Sequence, residues 1–313
     1  MLHAVRTSIL FALLATATAC CSGAGMGGFG LVDDVPEAYS LGAVWSFGPE
    51  DVWVTADGGR VFHYGGNGWD ETQLETNEMM LGLWGFAPDN LWAVGGRTLA
   101  CYDGTGWEVT DLRELEPGIE GLSAIWASTP EDVWVVGSQS TAAHFDGESW
   151  RRYLAAGSDN TVVWGSGPND VYTASVFSVA HFDGSAWSNI ETGGFSSGAE
   201  GIWGFGPDDV WISDGDELAH FDGSDWEIHM LDFIAEAESL WGLAPDDLWG
   251  VGSFGGILHY DGRAWHEVAH QRIGSPYLRM FHDVHGSKQG DVWVIGTQMG
   301  EDGVQPKIYR RAP

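Results

Sequence analysis

The segment AHFDGSDW (residues 219–226) places a histidine, two aspartates and a tryptophan close together in the chain. His220 beside Asp222 has the composition of an acid/base pair, because an imidazole titrates near neutral pH and a carboxylate can orient it. The same two groups are also metal ligands. Which chemistry, if any, they perform depends on the elements that position them, and the rest of the chain identifies those elements.

The segment is part of a repeat. GIWGFGPDDVWISDGDELAHFDGSDW (201–226) recurs along the chain with a period of 38–42 residues. The other copies span residues 43–69, 83–107, 125–150, 163–187, 240–265 and 280–310. Six copies share a first tryptophan, and Phe281 is aligned with it in the seventh; these are Trp45, Trp84, Trp126, Trp164, Trp203 and Trp241.

Each copy contains four short runs with strand character, which we label a to d, separated by turn residues. Four antiparallel strands in about 40 residues are typical of one β-propeller blade. The absence of a 3.6-residue apolar period excludes an α-solenoid. The sequence therefore predicts an all-β, seven-bladed propeller of four-stranded antiparallel blades.

The seventh copy stops after strand c, so that blade lacks its outer strand. Counting back from Trp45 by the usual d-to-a spacing reaches Phe29, in GFGLVDD (28–34). We predict that this segment supplies strand d of blade 7 and closes the ring, which removes an open sheet edge. The propeller domain is then predicted to span 29–313.

The N-terminus has the pattern of an export signal. Residues 1–19 carry a positive charge and then an apolar run too short for a permanent membrane helix, which predicts a signal peptide. Small residues before Cys20 resemble a bacterial lipobox, although Ala17 stands where that pattern prefers leucine, and ordinary secretory cleavage is the alternative. The resemblance implies acylation of Cys20, a flexible tether over 20–28, and an outer-membrane, periplasmic or cell-surface lipoprotein that contacts the membrane only through its lipid.

Composition excludes several classes of partner. The chain has 45 acidic residues against 13 Lys and Arg, a formal charge of −32. Nucleic-acid binding needs clustered Lys and Arg, so it is excluded, and the acidic surface favours a soluble monomer. Apart from the adjacent Cys20 and Cys21, Cys101 is the one cysteine, so no internal disulfide framework is expected. No cofactor motif is present.

The c–d turns HFDGSAW and YDGTGW resemble the Asp-box (BNR) hairpin of sialidase-type and related bacterial propellers. The resemblance implies that one aspartate per blade ties down the c–d turn, and blade 1 has Gly65 there instead. These aspartates are Asp103, Asp146, Asp183, Asp222 and Asp261. The Asp-box specifies a fold and not an activity.

Repetition argues against chemistry at the tryptophans and strand-c histidines. All 18 tryptophans fall at three repeat positions, which favours packing between blades over sugar stacking. The histidines share one strand-c position, and equivalent residues on sheets stacked ~10 Å apart cannot converge on a metal. We therefore predict that they pack between blades and make local hydrogen bonds. The acidic a–b turns are expected to bond their own backbone.

The candidate functional residues are therefore those that differ between copies of the repeat. The a–b and c–d turns lie on one face, the turn face, and the more variable b–c and d–a loops lie on the other, the loop face, where propellers usually carry function. Blade 7 also holds His282, Asp283 and His285, a weak metal candidate because positions i and i+3 of a strand point to opposite faces. The candidate loop-face residues are Arg113, Glu191, Phe195, Asp232, Phe233, Arg272 and Tyr277.

Three functions are compatible with this sequence. The first is a non-catalytic binding or scaffold module for a protein or glycan. The second is a hydrolase or lyase acting on polysaccharide at the channel mouth, which requires non-repeating carboxylates and a base in the channel. The third is a multivalent lectin with pockets between blades. A sialidase is excluded, because no Lys or Arg occurs between Arg152 and Arg263 while 19 acids do.

Overall fold

The computed structural model describes residues 26–155, 159–175, 178–192, 198–270, 278–301 and 303–313. Their strands form seven separate four-stranded antiparallel sheets. The predicted seven-bladed, all-β propeller is thus confirmed. Helical structure in the described residues consists of the 3-10 turns Asp57–Gly59, Leu112–Glu114 and Ser253–Gly255.

Strands a form the inner wall and strands b follow them outward. The a strands are β2 (Leu41–Gly48), β6 (Gly82–Ala87), β10 (Leu122–Thr129), β14 (Asn160–Gly167), β18 (Gly201–Gly206), β22 (Ser239–Ala244) and β26 (Leu278–Gly286). The b strands are β3 (Asp51–Ala56), β7 (Asn90–Gly95), β11 (Asp132–Gly137), β15 (Asp170–Ser175), β19 (Asp209–Asp214), β23 (Asp247–Gly252) and β27 (Val292–Gly300). The b strands are buried almost throughout, as expected of a strand covered by a neighbouring sheet on each side.

Strands c and d complete each blade. The c strands are β4 (Arg60–Tyr64), β8 (Thr98–Tyr102), β12 (Thr141–Phe145), β16 (Ser178–Phe182), β20 (Glu217–Phe221), β24 (Gly256–Tyr260) and β28 (Gly303–Arg311). The d strands are β5 (Trp69–Gln73), β9 (Trp107–Asp111), β13 (Trp150–Leu154), β17 (Trp187–Ile190), β21 (Trp226–Met230), β25 (Trp265–Ala269) and β1 (Gly30–Leu31). A tryptophan begins every d strand except β1.

The N-terminal strand closes the ring, as predicted. β1 pairs antiparallel with β28, Gly30 opposite Arg310, and Phe29 packs at 5.7 Å from the ring of Trp249. β28 is much longer than β1, so part of its outer edge has no partner strand. The Ile308 carbonyl lies on this edge, because it accepts a hydrogen bond from Val32 N. Pro306 is two residues before Ile308, so its backbone faces the same edge. Since proline has no N–H to donate, the open part of the edge is a poor template for another strand.

The core lies between blades. The strand-b ring of Trp53 packs against Tyr102 and Trp107 of the next blade, at 4.9 and 6.0 Å between centroids. The last interface repeats this contact, because Trp293 of blade 7 packs on Trp69 of blade 1. The prediction that the tryptophans fill the space between blades is confirmed for these rings.

Candidate functional site

The c–d turn aspartates are bound to their own turns. Oδ1 of Asp222 accepts hydrogen bonds from Ser224 N, Ser224 Oγ and Asp225 N, at 2.7 to 2.9 Å. These bonds, led by the one from Asp225 N, lower the pKa of Asp222 to about 2. Gly223 adopts φ 91°, which glycine takes without strain. Equivalent backbone bonds are made by Asp103, Asp146, Asp183 and Asp261.

His220 is bound to a different aspartate from its sequence neighbour. Its Nε2 lies 2.9 Å from Oδ1 of Asp209 in the a–b turn, and its ring stacks on Trp211 at 3.9 Å. The same oxygen accepts a hydrogen bond from Trp211 Nε1 at 3.0 Å. The predicted local hydrogen bond is therefore present, and the imidazole stacks on a tryptophan of its own blade.

The same stack recurs in four other blades and explains the acidic a–b turns. The second residue of each of those turns binds the strand-c histidine, not its own backbone as predicted, and in blades 1, 5 and 6 it also accepts a hydrogen bond from the strand-b tryptophan. The pKa of Asp247 is lowered, first by its hydrogen bond to His259. The four other histidine–aspartate pairs are His63–Asp51, His144–Asp132, His181–Asp170 and His259–Asp247.

An axial channel passes between the a strands and holds the residues that do not repeat. It encloses a cavity of about 200 Å³ lined by all seven a strands. Five of the six first tryptophans line it, all but Trp126. His285 takes the seventh position, because it pairs with Trp293 as Trp45 pairs with Trp53. The sequence alignment of Phe281 with this position was therefore wrong.

His285 lines the channel with a buried, neutral imidazole. Its ring is 8% exposed and stacks on Trp45 at 4.0 Å, and burial lowers its pKa to about 3, so it is neutral. Nδ1 accepts a hydrogen bond from Ser46 N at 3.0 Å. The ring proton is consequently on Nε2.

Asp283 and His282 also line the channel. Oδ2 of Asp283 accepts from Val44 N at 2.9 Å and Oδ1 accepts from Ser239 Oγ at 2.8 Å. Burial raises the pKa of Asp283 to about 6 and lowers that of His282, whose Nε2 is 3.2 Å from Thr297 Oγ1. Each group thus has its own partner, and the described residues contain no cluster of His, Cys, Asp and Glu arranged to hold a metal.

The loop-face mouth of the channel is acidic. Glu200 lies at the mouth beside the start of β18, and its pKa is raised to about 7, first by burial and then by the negative charges of Glu238, Asp214 and Glu236. These acids come from the end of β19 and from the d–a loops that precede blades 5 and 6. The described residues that line the channel include no Lys or Arg. The described residues at the mouth therefore carry negative charge.

The described candidate loop-face residues do not line the channel. Arg113 lies in a 3-10 turn and pairs with Asp111 at 2.9 Å and Glu120 at 3.5 Å. Glu191 follows β17, and Asp232 and Phe233 lie in the loop after β21; all three are exposed. Phe195, Arg272 and Tyr277 lie outside the described residues, as do Cys20 and the signal peptide.

Sequence reasoning overlooked the channel mouth. Glu200 and Glu238 occupy a strand-a repeat position that holds glycine, leucine, serine or threonine in blades 1 to 4. This departure from the repeat was the available signal.

Comparison with known proteins shows the fold and no family. No family model and no curated protein matches this sequence. A structure of YCF48 bound to D1 peptide is similar, with 15% identity, a TM-score of 0.64 and coverage of 91% of this chain and 97% of that chain. The RRP9 WD40 repeats share 8% identity, with a TM-score of 0.71 and coverage of 92% and 98%.

A bacterial extracellular domain is also similar. It belongs to a putative hybrid two-component system of B. thetaiotaomicron, with 13% identity, a TM-score of 0.66 and coverage of 89% of this chain and 39% of that one. This chain thus spans about two fifths of that domain's length. At such identities the likeness shows a common propeller fold alone.

A separate observation concerns membrane-spanning helices. Over the described ranges, no helix has both the length and the apolar character needed to cross a membrane.

Proposed function

We propose that this protein is an exported, envelope-anchored propeller that binds a partner protein without catalysis, and that the loop-face mouth of the channel receives a cationic side chain or segment of that partner. The observation that carries this proposal is the raised pKa of Glu200, to which Glu238 and Glu236 contribute, with no Lys or Arg among the described residues that line the channel. A ligand cation would relieve the mutual repulsion that raises the pKa of Glu200.

The channel behind the mouth fits such a ligand. Its cavity of about 200 Å³ accommodates one long side chain, and tryptophans line its far end. Aromatic faces attract cations. Among the structural neighbours, YCF48 has been solved with a bound peptide and the RRP9 structure is a WD40 repeat domain, which is consistent with a binding function for the fold.

Removing charge from the mouth is expected to weaken binding of a cationic probe. With hexalysine at low salt, Glu200→Gln/Glu238→Gln should bind about tenfold more weakly by calorimetry, because two carboxylates that face the cation are lost. Glu131→Gln/Asp208→Asn removes two exposed acids from the turn face and should change the affinity by less than about twofold. Equal weakening in both variants would show general charge attraction and contradict the proposal.

The pH dependence of binding tests the same site. Since the pKa of Glu200 is about 7, this carboxyl loses its charge as pH falls through 7, and hexalysine should bind more weakly to the wild type at pH 6 than at pH 8. Glu200→Gln should reduce this difference.

Envelope anchoring rests on the sequence before residue 26. Acylation of Cys20 would place the lipid close to the ring, because Met26 already contacts Arg279 of blade 7 through its sulfur. Cys20→Ala is expected to move the protein from the membrane fraction to the soluble fraction, and Cys21→Ala is expected to leave it in the membrane fraction. Unchanged membrane partitioning of Cys20→Ala would refute the anchor.

A polysaccharide hydrolase or lyase is the second candidate. One observation favours it: the channel contains the non-repeating carboxylates Glu200 and Asp283 together with His282 and His285. Against it, both oxygens of Asp283 are already hydrogen-bonded within the ring. Release of reducing or unsaturated ends from a polysaccharide panel, abolished by Glu200→Gln, would establish this function in place of simple binding.

A further inference from the structure

Blade 2 lacks the planar side chain that covers the strand-b aromatic residue in the other blades. Five blades stack a histidine on this residue, and blade 7 places the Arg310 guanidinium over Trp293 at 5.1 Å. In blade 2 the equivalent position is Cys101, which pairs with Trp92 across the strands. A thiol is too small to cover an indole face.

The uncovered indole is visible in the burial of the strand-b rings. Trp92 is half-buried, whereas its six counterparts are between 0 and 5% exposed. These counterparts are Trp53, Trp134, Tyr172, Trp211, Trp249 and Trp293. An open pocket of about 570 Å³ lies beside Trp92 on the turn face.

The pocket also retains the hydrogen-bond acceptor of the missing ring. In blade 5, Oδ1 of Asp209 accepts from both Trp211 Nε1 and His220 Nε2. In blade 2, Oδ1 of Asn90 accepts from Trp92 Nε1 at 3.2 Å, and no ring on strand c supplies the second donor. A carbonyl oxygen has two lone pairs, so it can accept a second hydrogen bond.

The charges around the pocket select a cation. Its walls include Asp89, Asp103 and Glu108, and no Lys or Arg among the described lining residues. Burial and the negative charge of Glu108 raise the pKa of the Cys101 thiol to about 12, so this cysteine is a neutral wall of the pocket. A planar cation with N–H donors can therefore stack on the indole face, donate a hydrogen bond to the second lone pair of Asn90 Oδ1 and lie close to the acidic residues of the pocket.

We propose that the blade-2 pocket is a binding site for an arginine side chain of a partner protein, with the guanidinium stacked on Trp92, an N–H donated to Asn90 Oδ1 and the charge facing Glu108. Arg310 over Trp293 shows that this fold accepts a guanidinium at the equivalent position. Guanidinium stacks well on indole and is more weakly hydrated than an ammonium group. The pocket lies on the turn face, so it is independent of the channel mouth.

The test uses N-acetylarginine amide as the probe and the Trp92 indole N–H resonance, assigned by its loss in Trp92→Phe. The wild type and Cys101→Ser should show saturable shifts, because both leave the pocket open. Asn90→Asp/Cys101→His rebuilds the stack of the other blades and should lose binding by about tenfold or more while its Tm rises. Glu108→Gln should weaken binding about threefold with the fold unchanged.

Charge and planarity are separated by two further probes. N-acetyllysine amide carries the same charge without a planar group and should bind about tenfold more weakly than the arginine probe. Equal shifts with both probes, binding of imidazole in place of arginine, or undiminished arginine binding to Asn90→Asp/Cys101→His would each overturn the proposal. The hexalysine experiment measures binding at the channel mouth, on the opposite face of the propeller. Either proposal can therefore fail without the other.

Discussion

A chain that begins at residue 33 is expected to lose the cooperative unfolding of a chain that begins at Met26. The two differ by the segment that contains β1, which is the outer strand of blade 7. Removing it exposes Trp249 and Tyr309, which pack with Phe29 in one cluster, and removes the backbone pairing to β28. The expected result is a broad transition at lower denaturant concentration, with self-association through the newly exposed end of β28.

Point variants separate the side chain from the backbone in this closure. Phe29 is 6% exposed and Leu31 is 50% exposed, although both lie in the same short segment. Phe29→Ala should lower the free energy of unfolding by about 3–5 kcal/mol, and Leu31→Ala by less than about 1 kcal/mol. Urea denaturation followed by tryptophan fluorescence measures both. Equal stabilities of the chains that begin at residues 26 and 33 would mean that the ring does not depend on β1.

The ring closure was predictable because one copy of the repeat lacks a strand that the other copies contain. Six copies have strand d after strand c, and the seventh ends at strand c, so the N-terminal segment was the piece of chain left to complete it. The number of blades follows from the same regularity, since each Trp-anchored copy is one supersecondary unit that buries its faces against its neighbours.

The seventh inner strand was misaligned because two aromatic residues compete for the position. Phe281 preserves the approximate repeat length, whereas His285 preserves the eight-residue spacing to the strand-b aromatic that every other blade has, as from Trp45 to Trp53. The ladder follows the second spacing, with a one-residue bulge between Phe281 and Asp283. Local strand register therefore determines the position more strongly than repeat length does.

The histidine stacks were missed because their partner lies in another turn. His220 was considered with Asp222, two residues away, but strand pairing brings it to Asp209, eleven residues away. The sequence held one clue, the joint change of blade 2 to Asn90 and Cys101. A residue pair that changes together within one chain suggests a contact, whereas repetition of either residue alone suggests only packing.

Trp134→Ala is expected to lower the free energy of unfolding by about 3–5 kcal/mol, because the ring is fully buried and the cavity cannot collapse without moving a blade. Trp134 contacts His144 at 4.4 Å in its own blade and Phe182 at 4.8 Å in the next, so its removal weakens both. Trp92→Ala is the matched control. Its ring is half-buried and has no histidine stacked on it, so a loss of about 2 kcal/mol is expected.

The comparison of these two variants tests whether one blade differs physically from the rest. Urea denaturation in the absence of arginine should give the larger loss for Trp134→Ala, and a high concentration of N-acetylarginine amide should stabilise the wild type but not Trp92→Ala. If both substitutions destabilise equally, the Trp92 face is covered in solution and blade 2 packs like its neighbours. A clear difference means that the strand-b ring of blade 2 contributes less packing energy than its counterparts, because one of its faces is open. The histidine that is absent from blade 2 then leaves room for a ligand.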